Sequence, residues 1–272
     1  MTTTIGTLGG KSGLGAAPGS LAALADRWIY VVTALGFILI VLTGFIPDSV
    51  GKVAAVQAGQ RPPFPLVLHL HAVLMGSFLL LLLAQTTLVA LDRRDLHRRL
   101  GLAATVLGPA LVVVGVMLVP VGYHSLQHAM QAAVGPAQAK LAGRLGELDN
   151  ILLFQLRIAV LFPLFLVVGL RARATDPDLH KRMMIMAPAM ALPAGINRIE
   201  WLPTTLPHSP LSTDLYLLLA LSPLLVWDLV RHRRIQKAYL VALAAGLPLS
   251  VALYALWDSA SWHAIARRIL GA

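Results

Sequence analysis

Two short stretches repeat a pattern that could do chemistry: Asp95-Leu96-His97-Arg98-Arg99 and Asp178-Leu179-His180-Lys181-Arg182, with the histidines 83 residues apart. Each follows one apolar run and opens the next. The two imidazoles therefore hold equivalent places in two tandem helical hairpins and could face each other across a bundle as metal ligands. The same residues also make an ordinary helix start, in which Asp accepts from the first free amide groups and the arginines hold a loop in the cytoplasm.

A second group of histidines gathers at the far ends of the same runs. His69 and His71 begin one run, and His124 and His128 close the next. The latter pair is spaced i, i+4, so both rings can share a helical face. His69 and His71 diverge by about 200° on a helix, and only one of them can point inward. His71 is the better inward candidate, because Met75, Phe78, Leu82 and Gln85 continue its face. With a carboxylate such as Glu147 or Asp149, His71, His124 and His128 would suit zinc or iron and an activated water. His208, His232 and His263 read as surface residues.

Two arginines belong to the same outer region. Arg157 lies about two turns into an apolar run, where an uncompensated guanidinium is costly, so it requires a carboxylate partner or a small anionic ligand. Arg198 either pairs with Glu200 two residues on or grips a ligand carboxylate through its planar fork.

The elements that must position these groups are long apolar helices. Hydrophobic residues make up 57% of the 272, charged residues only 12%, and mean hydropathy is +0.76. A water-soluble domain cannot cover such a surface. Seven runs are long enough to cross about 30 Å of hydrocarbon: 28–46, 66–91, 100–121, 151–170, 183–199, 215–230 and 239–257. The fifth contains Pro188 and Pro193 and reads as either one kinked span or two half-helices. Two hairpins in the same orientation, spans two–three and four–five, predict a four-helix core over 66–199 with a pseudo-twofold along the membrane normal. Residues 1–27, rich in Gly, Ser, Thr and Ala, read as a disordered cytoplasmic tail, and 28–272 as one transmembrane domain.

Basic residues set the orientation. Arg93, Arg94, Arg98 and Arg99 precede span three, Arg171, Arg173, Lys181 and Arg182 flank the four–five connection, and Arg231, Arg233, Arg234 and Lys237 the six–seven connection. With Lys11 and Arg27 these place 14 of the 22 basic side chains on one side. The expectation is an inner-membrane protein with its amino terminus cytoplasmic and its carboxyl terminus outside. The net charge of +10 then reflects topology and anionic lipid rather than nucleic acid, for which no basic, aromatic-interleaved stretch exists. With no cysteine, any bound metal relies on imidazole, carboxylate or thioether.

From His69 to residue 199 the chain resembles the ascorbate-type transmembrane cytochromes b: His71 and Met75 on span two, a basic loop, His97 starting span three and His180 starting span five. The resemblance implies a four-helix core in which His97 and His180 hold one haem b. Span four contains no histidine, only Gln155 and Arg157, where a second haem of that family would need one. The chain also resembles bacterial polytopic membrane proteins of unassigned activity that share a histidine-led span, a Leu-His-Arg-Arg-Leu-Gly turn and a Leu-His-Lys-Arg-Met turn. Three functions follow as alternatives. One is a haem b electron-transfer protein, working with a quinone or an anionic donor. Another is an outward-facing metal-site hydrolase, and the third a non-enzymatic carrier or assembly component. The oligomeric state is open.

Overall fold

The structure, a computed structural model, describes residues 20–271, which are helical and contain no strand. The helices are α1 (Leu21–Gln57), α2 (Leu66–Ala90), α3 (Arg94–Leu100), α4 (Ala104–Ala132), α5 (Pro136–Ala172), α6 (Pro177–Ala189), α7 (Leu192–Ile196), α8 (Leu211–His232), α9 (Lys237–Leu256) and α10 (Ala260–Leu270). A 3-10 turn, Gly101–Ala103, joins α3 to α4, so the two run on as one rod. Six helices are long and apolar enough to cross a bilayer: α1, α2, the α3–α4 rod, α5, α8 and α9. Their outward faces carry exposed Leu39, Leu80, Val106, Val160, Leu219 and Val251, and only lipid can cover so much apolar surface. The protein is an all-α polytopic membrane protein.

The fifth expected span resolves as two half-helices. Pro193 in the first turn of α7 lacks an amide hydrogen, and its ring opposes the carbonyl four residues back, so the chain breaks at Met190–Ala191. The broken segment still crosses the bundle. Its start pairs with Asp228 in the last turns of α8, and Arg198 beyond its end pairs with Asp48 of α1. Asp26 of α1 pairs with Arg231 of α8 at that first end, and 22 helical residues separate Asp26 from Asp48, or about 33 Å. Met183, Ile185, Ala187 and Ala189 are fully enclosed, which suits a broken backbone better than lipid contact does.

The expected four-helix core is present. One cluster joins Phe78 of α2, Leu111 of α4, Phe162 and Phe165 of α5 and Met183 and Met186 of α6. A second cluster packs α1 and α8 onto α2, α6 and α7. Beyond the core, α4 and α5 continue as a helical hairpin turned at Gly135, and Trp262, Ala266 and Leu270 of α10 close over it.

The amino-terminal boundary needs correction. Residues 1–19 lie outside the described residues, but 21–27 are the first turns of α1, capped by Ser20. Asp26 accepts from Trp227 and Arg231, and Arg27 donates to the Ala90 carbonyl. These partners lie over 60 residues away and extend the helix beyond its apolar run.

Where α1 crosses α7, backbone meets backbone: a Cβ on Gly44 would stand 2.1 Å from the Gly195 carbonyl oxygen. Gly44→Ala is therefore expected to destabilise the protein by about 1–3 kcal/mol. Thermal melts in detergent check this, and an unchanged melting temperature would contradict the close crossing.

Candidate cofactor site and buried ion pairs

The repeated motifs build the same local structure twice. His97 stands in the first turn of α3 and His180 in the first turn of α6, and each ring folds back against the helix before it. His97 Nδ1 lies 3.3 Å from the Gln85 carbonyl of α2, and His180 Nδ1 lies 2.8 Å from the Gly169 carbonyl of α5. A carbonyl only accepts, so Nδ1 carries the hydrogen in both rings and Nε2 keeps the lone pair that can ligate. The two half-buried rings come together with centroids 6.4 Å apart and planes at 84°. Beside them the Gln85 amide is packed against Gly101, and both of its polar atoms are buried without a partner. The chain thus brings together two oriented imidazoles and a spare amide from α2, α3, α5 and α6.

The outer metal set is not assembled. His71 does face inward, with His69 exposed, but its ring lies against Gly115 of α4. His124 and His128 are 9 and 13 residues farther along that helix, about 13 Å and 20 Å away by helical rise. His124 Nδ1 meets Gln127 Oε1 at 3.3 Å, while His128 and Glu147 are exposed on the hairpin extension. Among the described residues no three His, Asp or Glu side chains are grouped to hold a metal. The correction has a simple cause: His71 lies one or more turns too deep, because α4 and α5 extend well beyond their apolar runs.

The two arginines are satisfied by the protein itself. Arg157 donates to both oxygens of Asp214 at 3.1 and 2.6 Å and to Ser250 at 3.2 Å, and it is only 7% exposed. Arg198 meets Asp48 at 3.2 Å, donates to the Ala194 carbonyl and stacks over Phe45. Glu200 is exposed and is not its partner. The planar forks bind carboxylates as expected, but those carboxylates come from α8 and α1 rather than from a ligand.

Two further constellations escaped the sequence reading. Arg182, counted among the topological loop charges, is fully buried and grips Asp228 through Nε and Nη2, both at 2.6 Å, with Tyr239 donating to the same carboxylate. The signal was available, since Asp228 is an acid standing at the end of an apolar run. At the opposite end, His263 of α10 bridges buried Asp149 at 3.0 Å and exposed Asp258 at 3.2 Å, while Trp262 donates to the Asp149 carbonyl. The hydrogen bonds from His263 and Asn150 hold the Asp258 carboxyl below its usual range. Removing the bridge in His263→Ala strips a partner from a fully buried carboxylate and is expected to cost about 1–3 kcal/mol. Limited proteolysis of α10 and a denaturation curve would show it; equal resistance to both would mean the bridge is not what holds α10.

Comparison of the chain with protein-family models, with curated proteins and with solved structures found no match to any of them.

Proposed function

We propose that the protein is a membrane electron carrier that holds one haem b between His97 and His180, with the basic end of the bundle facing the cytoplasm of a bacterial-type inner membrane. The observation carrying this reading is the pair itself. The two rings stand with centroids 6.4 Å apart, each with Nδ1 held by a carbonyl, and Nε2 of each would be the atom to hold a haem iron. Among the described residues no third His, Asp or Glu is grouped with this pair, and two imidazoles would suit a macrocycle that brings its own four nitrogens, whereas a bare ion would need more from the protein. The unpartnered Gln85 amide adds hydrogen-bonding capacity that the protein leaves unused.

Haem b, when bound, supplies a one-electron iron couple. The chain's own residues do the rest. The Gln85 and Gly169 carbonyls hold each ring and keep Nε2 available. By accepting the Nδ1 hydrogens they also make both rings more basic, which would favour the oxidised form of a bound haem iron. The inside placement of the amino terminus rests on the concentration of basic residues at this end, and a quinone is the electron partner that a lipid-embedded carrier of this kind would meet.

The test is an absorption spectrum of the detergent-purified protein from haem-replete cells, oxidised and dithionite-reduced. A stoichiometric Soret band with sharp reduced α and β bands is the expected result. Haem-free protein from such cells would sink the reading.

A further inference from the structure

A second polar site lies at the same basic end, between the first turns of α1, the start of α6 and the last turns of α8. It is a cavity of about 250 Å³ lined by Asp26, Tyr30, Lys181, Trp227, Asp228, Arg231 and His232. What this cavity can bind follows from which of its groups are already engaged. The carboxylates are: Asp228 takes Arg182 and Tyr239, and Asp26 takes Trp227 at 3.0 Å and Arg231 at 2.8 Å. Donors are left over. The Tyr30 hydroxyl is buried without a partner. The Lys181 ammonium stands 5.6 Å over the Tyr30 ring and spends one of its three N–H groups on Asp178 at 2.7 Å, a carboxylate 60% exposed, which leaves the others for a ligand. His232 adds an imidazole, its Nε2 3.8 Å from Asp228.

A wall whose carboxylates are already engaged, and which keeps the Tyr30 hydroxyl and the remaining N–H groups of the Lys181 ammonium for a ligand, fits an acceptor-rich anion. The surroundings agree: residues 26–27, 92–99, 171–182 and 228–237 carry thirteen basic side chains against six acidic ones. The cavity's residues fall in the first ten of α1, the first five of α6 and the last six of α8, so it lies within roughly two to three helical turns of the bundle end, near the headgroup layer.

We propose that this cavity binds a phosphate group, with the Tyr30 hydroxyl and the Lys181 ammonium as its donors. At this depth the phosphodiester of an anionic phospholipid is the source within reach, in the manner of basic pockets between membrane helices; free phosphate carries the same chemistry. The site is independent of what His97 and His180 hold, and its test does not involve haem.

The test is native mass spectrometry of the delipidated full chain in detergent, with phosphatidylglycerol or inorganic phosphate added back. The expected result is one saturable phosphatidylglycerol adduct, weakened at least about ten-fold by Tyr30→Phe and by Lys181→Gln and unchanged by Arg268→Gln at the far end. Binding of inorganic phosphate that displaces the lipid and is lost in the same two variants would also support the site and assign it to a soluble anion. Binding that neither substitution weakens, or no binding of lipid or phosphate to a protein with wild-type helicity, would overturn the proposal. Tyr30→Phe removes one oxygen from the pocket and keeps the ring, so a folding defect does not obscure the answer.

Discussion

His97→Ala and His180→Ala are each expected to abolish the haem spectrum, lowering haem content at least about ten-fold, while expression and helicity stay near wild type. The asymmetry between cofactor and fold follows from the geometry. Each ring is half-buried in the first turn of its helix and contributes one hydrogen bond to a carbonyl, a contact worth about 1 kcal/mol. Losing it should move the melting temperature by only a few degrees. On the proposed reading, losing one of the two histidines would remove half of the protein's hold on the haem iron. Glycine variants with added imidazole sharpen the test. If His97 acts as a ligand, free imidazole restores the low-spin spectrum of His97→Gly; if it acts only by bracing α2, imidazole does nothing. Equal haem content in wild type and both alanine variants would end the proposal.

The largest stability effect is expected from Asp228→Ala. Arg182 has no exposed surface and its guanidinium is held by both oxygens of Asp228. Deleting the carboxylate leaves the buried guanidinium with only its Asp178 contacts, the carboxylate at 3.3 Å and the carbonyl at 2.9 Å, a loss of about 3 kcal/mol, and it also orphans the Tyr239 hydroxyl. Replacing both partners in Arg182→Met with Asp228→Leu removes the charge together with its counter-charge. The double variant should then recover most of the loss, because a buried pair exchanged for apolar side chains of similar volume is close to neutral. Denaturation in detergent across the four members of the cycle measures it. Additive losses in the double variant would show that Asp228 stabilises the bundle by some means other than pairing with Arg182. The Arg157–Asp214 pair, with its arginine 7% exposed, calls for the same logic one bundle end away.

Several features were readable before the structure because they depend on neighbours a few residues apart. The repeated Asp-Leu-His motif placed His97 and His180 in equivalent positions, and two like helix starts in two like hairpins converge once the hairpins pack. The face running from His71 through Phe78 and Leu82 was legible from helical periodicity, and Phe78 and Leu82 are indeed buried. The need of Arg157 for a partner was legible too, since a guanidinium in an apolar run has few other ways to exist. The pairing of Arg198 with Glu200 misread proximity in sequence for proximity in space. Residues i and i+2 point apart, and Arg198 instead reaches Asp48, 150 residues away. Arg182 reads as a loop charge in sequence because it sits in a basic run, although its helix turns it into the core.

The sequence by itself determined the membrane class, the apolar helices, the break around Pro193 as one of two readings, and the repeated motif that sets a histidine in the first turn of two helices. Hydropathy, proline sterics and the 1.5 Å rise act locally and need no knowledge of the fold. Only the tertiary structure decided which carboxylate each arginine meets, that His71 and His124 stand at different depths, and that α10 folds back to bring His263 onto Asp149. Those choices depend on the rotation and vertical shift of one helix against another, which side-chain packing sets across distances of 46 to 150 residues and which no local pattern encodes.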